Sequence, residues 1–435
     1  MTLKFFRNVL NSSLLTLTLA ASAAATQYKV IYTFQNLSDA YQPQTQMIAD
    51  GAGNLYGVTQ FGGAHGLGTV FELSPGSNGT WTEKILYSFA EGTDGGQPWA
   101  GVVMDKNGNL YGTTSAGGDA SCTPIHGYCG VAYELSPNSN GTWTETVLVD
   151  FTGDNGLTPY GNLILDGAGN LYGTTQGGGP NGWGIVFELS PNGDGTWSEN
   201  ILHGFGKDGN GAKPYSNLVF DAQGNLWGTT TDGGLLADCL YQYGCGTVFE
   251  MTPQAGGGWS EKAVLAFDGG NGATPAGLIF DASGDVFGTT YYGGPGSCSG
   301  LVVGGCGEIF ELVAGNGSYK PRIIQQFQKE PVAQPQGIIF DSQGNMYGTS
   351  FYGGVNTCAG ANQPCGTIYK GAPNGRGGFT FSVLYDFPGE STNGFWPYAP
   401  LTIDGAGNIY GSTGNGGNLS CGISGGCGVV YQIIP

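Results

Sequence analysis

Short apolar runs alternate with polar, glycine-rich breaks along the whole chain. No apolar stretch after the first 25 residues has helical period or length. The runs recur in one order. In one copy they read "GLIFD", "DVFGTTYY", "GEIFEL" and "YKPRIIQQF". Each is five to nine residues long and rich in β-branched and aromatic side chains, which predicts strands. We name them A, B, C and D. The A-to-B link is the most uniform piece, as in "DGAGNLYGTT" from Asp166 to Thr175. Asp opens the turn with a side chain that can accept backbone N–H groups. Gly169, three residues on, can take positive φ at little cost. Copies begin at Asp50, Asp105, Asp166, Asp221, Asp281, Asp341 and Asp404, spaced 55 to 63 residues apart.

Seven repeats of four antiparallel strands predict an all-β fold, a seven-bladed β-propeller. The ends support a closed ring. The sequence "YKVIYTF" from Tyr28 to Phe34 matches D strands such as "EKILYSF" and "FSVLYDF", while "GVVYQIIP" is a C strand with no D after it. The N-terminal strand is therefore expected to complete the last blade. An open solenoid needs no such exchange and would leave edges exposed.

Composition sharpens this picture. Of 435 residues, 40% are hydrophobic and only 10% are charged, and the formal net charge is −19. That balance excludes nucleic acid and an anionic membrane as partners, since both call for Lys and Arg. Residues 1–25 read as a signal peptide. Lys4 and Arg7 precede the apolar "LLTLTLAASAAA", which is too short for a membrane span and ends in small residues. Residues 26–435 are expected to form one propeller domain, without a transmembrane segment, secreted or periplasmic, and monomeric. The ten cysteines fall in close pairs at one place in the repeat: Cys122/Cys129, Cys239/Cys245, Cys298/Cys306, Cys358/Cys365 and Cys421/Cys427. Spacings of six to eight residues without repeated His do not match zinc ligands, so local disulfides are expected. The pairs sit in the five long B–C loops, whereas the two short ones ("AHGL", "PNGW") have none.

The ordered return of "GNLYGTT", "GG" and "GTVFEL" resembles the tandem repeat of the GloVer family, bacterial exported proteins described as choice-of-anchor repeat proteins. The resemblance covers nearly the whole mature chain. It implies an extracellular propeller-like protein and brings no established substrate or mechanism. Members typically end in an anchoring tail. Here the sequence stops at Pro435 within strand C, so free secretion or periplasmic residence is expected.

In a propeller, strand A lines the central channel. The B–C and D–A loops lie on the face opposite the uniform A–B turns. Variation is concentrated in those loops, so a ligand site is expected on their face. After the Pro that ends each D–A loop come Trp99, Tyr160, Tyr215 and Tyr398, read as a ligand-binding rim for an extracellular ligand or protein, such as a carbohydrate. Packing between blades is the competing role for these rings. Tyr292, Phe351 and Tyr352 fall before "GG" pairs on the same face. The D–A loops mix acidic residues, Asn and Gly. Ca²⁺ suits such groups, but no loop shows a full ligand series, so no metal or cofactor is assigned. Apart from the turn Asp, strand A carries no ionisable side chain. The histidines (His65, His126, His203) do not cluster. General acid–base chemistry needs a tunable group beside the substrate, so no catalytic residue is assigned. The alternative is an exported hydrolase or lyase using loop carboxylates such as Asp154, Asp208 or Asp268.

Overall fold

The computed structural model describes residues 26–434 except 37–38, 91, 119–128, 207–208, 236–238, 240–242, 297, 299–303, 316, 329–331, 359–362, 390 and 423–424. Residues 1–25, Cys122, His126, Asp208 and Pro435 lie outside the described residues. The chain forms seven antiparallel sheets, arranged as the blades of a β-propeller. Blade 3 is representative: A is Ile164–Leu165, B is Leu171–Thr175, C is Ile185–Pro191 and D is Trp197–Gly204. Blade 7 takes its D strand from the other end of the chain. Gln27–Thr33 pairs with Val429–Ile434, with Gln27 opposite Ile434 and Thr33 opposite Val429. The irregularity of that pairing, between Val30 and Tyr32, recurs between C and D in other blades, for example at Val186/Phe187. The first strand is thus a true D strand.

The A–B turn works as its residues dictate. Asp166 Oδ1 accepts the N–H groups of Ala168 (2.8 Å) and Asn170 (2.9 Å), and Oδ2 accepts Asn170 Nδ2 and Tyr172 Oη. Gly169 has φ of 95°. Burial would raise the Asp166 carboxyl, but the hydrogen bonds from Asn170, Ala168 and Tyr172 outweigh it and leave the pKa below its ordinary value. Strand-B aromatics such as Tyr172 and Trp227 are buried core residues as well as donors to the Asp of their own turn, Asp166 and Asp221.

The core lies between blades rather than inside them. One cluster joins Leu86 and Phe89 of blade 1 to Val102, Leu110 and Tyr133 of blade 2. Another closes the ring, joining Phe34 and Val430 of blade 7 to Leu55 and Phe71 of blade 1. A second lock recurs at each joint. The residue before the D–A proline has positive φ without being glycine: Gln42, Gln97, Thr158, Lys213, Thr274, Gln334 and Trp396 lie between 51° and 61°. Its N–H reaches back to the preceding blade, as Thr158 N does to Cys129 O at 3.1 Å and Thr274 N to Cys245 O at 2.9 Å. The proline ring then covers the glycine that opens strand C of that blade. A Cβ on Gly246 would stand 2.2 Å from Thr230 O and 2.7 Å from Pro275 Cδ.

Candidate functional site

The corner before each proline sets the direction of the residue after it. In the mouth of the bore, on the D–A and B–C face, these residues converge. Trp99, Tyr160, Tyr215 and Tyr398, from blades 2, 3, 4 and 7, line one depression of about 610 Å³ counted with the solvent at its opening. Gln44, Ala276 and Gln336 supply the same position in blades 1, 5 and 6, so all seven blades reach the mouth. All four predicted rim residues are brought together there.

They do not stand apart around an open bore. Trp99 meets Tyr160 edge-on at 5.8 Å between ring centroids, and Tyr160 meets Tyr215 at 5.2 Å. Blades 4 and 7 lie across the ring from each other, yet Tyr215 Oη and Tyr398 Oη are 3.1 Å apart. The two phenols therefore span the mouth. The four rings are half-buried. Burial, followed by the neighbouring Tyr398 hydroxyl, pushes the Tyr215 pKa well above its ordinary value.

Sequence reasoning missed Tyr291, which lines the same depression from the end of strand B in blade 5. Burial and the Tyr398 and Tyr215 hydroxyls raise its pKa as well. A signal was present. From proline to turn Asp, blades 5 and 6 are one residue shorter than the others, as in Pro275 to Asp281 against Pro214 to Asp221. Strand A runs unbroken there, over Ala273–Phe280 and Ala333–Phe340, and the residue after its proline in blade 5 is the small Ala276. Strand B fills the space: Tyr291 in blade 5, and in blade 6 Phe351, which packs edge-on to Tyr398 at 5.7 Å. Tyr292 and Tyr352 are half-buried beside them and are not part of the lining.

Below the rings the bore is lined by amides and hydroxyls that tie blade to blade. Asn162 Oδ1 accepts Gly101 N at 2.6 Å, Asn217 Oδ1 accepts Asn162 N at 2.7 Å, and Gln46 Nε2 donates to Leu401 O at 2.9 Å. In the shortened blades a strand-B threonine takes over, as Thr289 Oγ1 donates to Gln336 O at 3.0 Å. Thr45 is buried in this lining, and its hydroxyl has no hydrogen-bond partner in the protein. No charged side chain lines the depression among the described residues.

The titratable groups lie elsewhere. Asp154 and Asp268 sit in D–A loops outside the lining, and the turn Asp residues are at the far ends of the A strands. Glu308 is fully buried at the start of strand C in blade 5, where burial, with Asp268 adding to it, raises its pKa to about 7. Glu83 (about 8) and Glu145 (about 7) are raised first by burial, on outer D strands. No group of three or more metal-ligating side chains occurs among the described residues. Four of the cysteine pairs are disulfides, Cys239–Cys245, Cys298–Cys306, Cys358–Cys365 and Cys421–Cys427, and Cys129 is disulfide-bonded too. No helix among the described residues is long and apolar enough to cross a membrane.

The sequence matches the profile of the Gloeobacter/Verrucomicrobia repeat over residues 14–234 and, overlapping them, 123–303. No curated relative matches it. Among solved structures it is similar to a candidate 6-phosphogluconolactonase from Bacteroides uniformis, at 16% identity and TM-score 0.50, covering 87% of this chain and 99% of that one. It is also similar to an ulvan lyase of polysaccharide lyase family PL25 bound to -[GlcA(1-4)Rha3S]-, at 11% identity and TM-score 0.55, covering 92% and 95%. At these identities the likeness is one of fold.

Proposed function

The chain belongs to the Gloeobacter/Verrucomicrobia repeat family, and from that premise we propose an exported propeller that binds an extracellular ligand, a carbohydrate, at the mouth of its bore. The observation that carries the reading is the convergence of Trp99, Tyr160, Tyr215 and Tyr398 from four blades on one depression. Ring faces can stack on the C–H faces of a sugar while neighbouring amides and hydroxyls take its hydroxyl groups. The disulfides fit an oxidising compartment reached through the leader of residues 1–25. In this reading residues 26–435 act as one monomeric domain, secreted or periplasmic. It is a scaffold rather than a catalyst. A lyase or hydrolase needs a group at the mouth that can gain and lose a proton at working pH. The described lining offers only amides, aliphatic hydroxyls, an indole and phenols, of which Tyr215 and Tyr291 are held neutral. A glycan array followed by calorimetry on the best hit tests the reading. Trp99→Ala and Tyr160→Ala are each expected to weaken binding roughly tenfold with the melting temperature largely kept. Affinity untouched by both substitutions would remove the mouth as the site.

A further inference from the structure

We infer that the mouth selects uncharged sugars and rejects uronates and sulfated sugars; this rests on the binding role proposed above and names its ligand class. The seven blades present side chains at equivalent positions, and among the described residues none of those lining the depression is charged. A carboxylate or sulfate seated there would lose water and find no cation to replace it. The molecule's net charge of −19 adds a field of the wrong sign for an anion. Titration cannot supply the missing cation either, because the ionisable side chains among the described lining residues are phenols, whose charged form is negative.

The polar groups suit a neutral polyol. Asn162 and Asn217 each spend the carbonyl oxygen on a backbone N–H of the neighbouring segment, which fixes the amide and leaves its NH₂ donors over. Thr45 contributes a buried hydroxyl without a protein partner. Such a group calls for a water or a ligand hydroxyl. The Tyr215–Tyr398 pair adds two more hydroxyls across the mouth, one of which donates to the other while both keep acceptor sites. Because the two phenols bridge the bore, a long chain cannot thread it. The ligand enters end-on, its terminal ring lodged against the phenols in the depression that Thr45, Asn162 and Asn217 also line.

The test compares sugars that differ only in charge. Neutral cello-, manno- and xylo-oligosaccharides are titrated into the mature chain beside glucuronate-terminated and sulfated counterparts of the same length. The neutral member of the best-binding pair is expected to bind more than about tenfold tighter. That difference should persist from pH 5 to pH 9 and survive in high salt. Tyr398→Phe and Thr45→Val should weaken the neutral sugar, and Gln44→Lys at the rim should narrow the gap by admitting the acid. If the acidic sugars bind as well or better and depend on Tyr398 and Thr45, the selectivity is wrong while the mouth remains the site. If no sugar responds to any of these substitutions, the binding role falls together with its ligand class.

Discussion

Thr274 illustrates how single residues hold this ring together. A non-glycine residue at φ of 54° is in a conformation that costs about 1 kcal/mol or more. The proline that follows disfavours the right-handed helical alternative. The N–H bond to Cys245 O and the seating of Pro275 on Gly246 offset that strain, and the same arrangement recurs at every joint. Two glycines of blade 4 separate strain from packing. Gly224, in the A–B turn, has φ of 83° and no atom within 4 Å of an added Cβ; Gly246 has φ of 93° and is hemmed in by Thr230 O and Pro275 Cδ. Gly224→Ala is expected to cost about 1 kcal/mol, from backbone strain alone. Gly246→Ala should cost more than about 3 kcal/mol, because two blades must part. Chemical denaturation of both variants checks this, and equal losses would mean the proline contact is incidental.

At the scale of the strand, the repeat is informative where it breaks. Strand C opens with Thr69, Thr247 or Thr367 in three blades and with Val or Ile in three others, but in blade 5 it opens with Glu308. Gln326 Nε2 donates to one of its oxygens at 2.8 Å, and the other has no partner. Burial and nearby Asp268 lift its pKa from 4.5 to about 7. The folded chain therefore keeps a proton that the unfolded chain releases above about pH 4.3. The contribution of Glu308 is full below that value and is lost as pH rises through 7. Glu83 and Glu145 act in the same direction. The turn residues Asp50, Asp166, Asp341 and Asp404, whose pKa values are lowered, act oppositely, and only in acid below about pH 3.9. The melting temperature is expected to fall between pH 5 and pH 8. Glu308→Gln should remove part of that fall, on the order of 1–3 kcal/mol. A profile of unchanged slope would place the proton elsewhere.

What the chain discloses in advance depends on how far apart the partners lie. The A–B turn was legible because Asp166, Gly169, Asn170 and Tyr172 fall within seven residues and settle the geometry among themselves. The disulfides were legible for the same reason, each closing a short loop. The rim was legible through its fixed place after a proline. The bridge between Tyr215 and Tyr398 was not, since 183 residues separate hydroxyls that meet only once the ring has closed. Tyr291 hid behind its neighbour Tyr292, because which of two adjacent strand residues faces the axis depends on a one-residue shortening in another strand. The seating of Pro275 on Gly246 was invisible too: each residue has a local explanation as a turn or strand opener, and only the stacking of blades joins them.

Closure operates on the whole molecule. The strand Gln27–Thr33 does more than fill an edge. Phe34 N donates to Gly428 O at 3.2 Å, and Asn418 Nδ2 reaches Gln35 O at 2.7 Å. Tyr28 stacks on Tyr385 of blade 6 at 3.8 Å, while Tyr32 Oη donates to Glu83 Oε2 of blade 1 at 2.6 Å. One strand thus clasps three blades, and its loss exposes the edge of Val429–Ile434 and the core around Phe34. Deleting residues 26–34 should abolish the single cooperative melt and leave an aggregation-prone chain. Moving the same strand should do no such harm. Gln27 lies opposite Ile434, so residues 26–36 can follow Ile434 through a short turn, with a new start at Asp39. That permutant turns the last blade into one continuous unit like the other six. It is expected to melt within about 5 °C of the parent and to keep the tyrosine-lined mouth, read as unchanged tyrosine fluorescence and sugar binding. A deletion variant as stable as the parent, or a permutant that fails to fold, would show that closure does not rest on this strand.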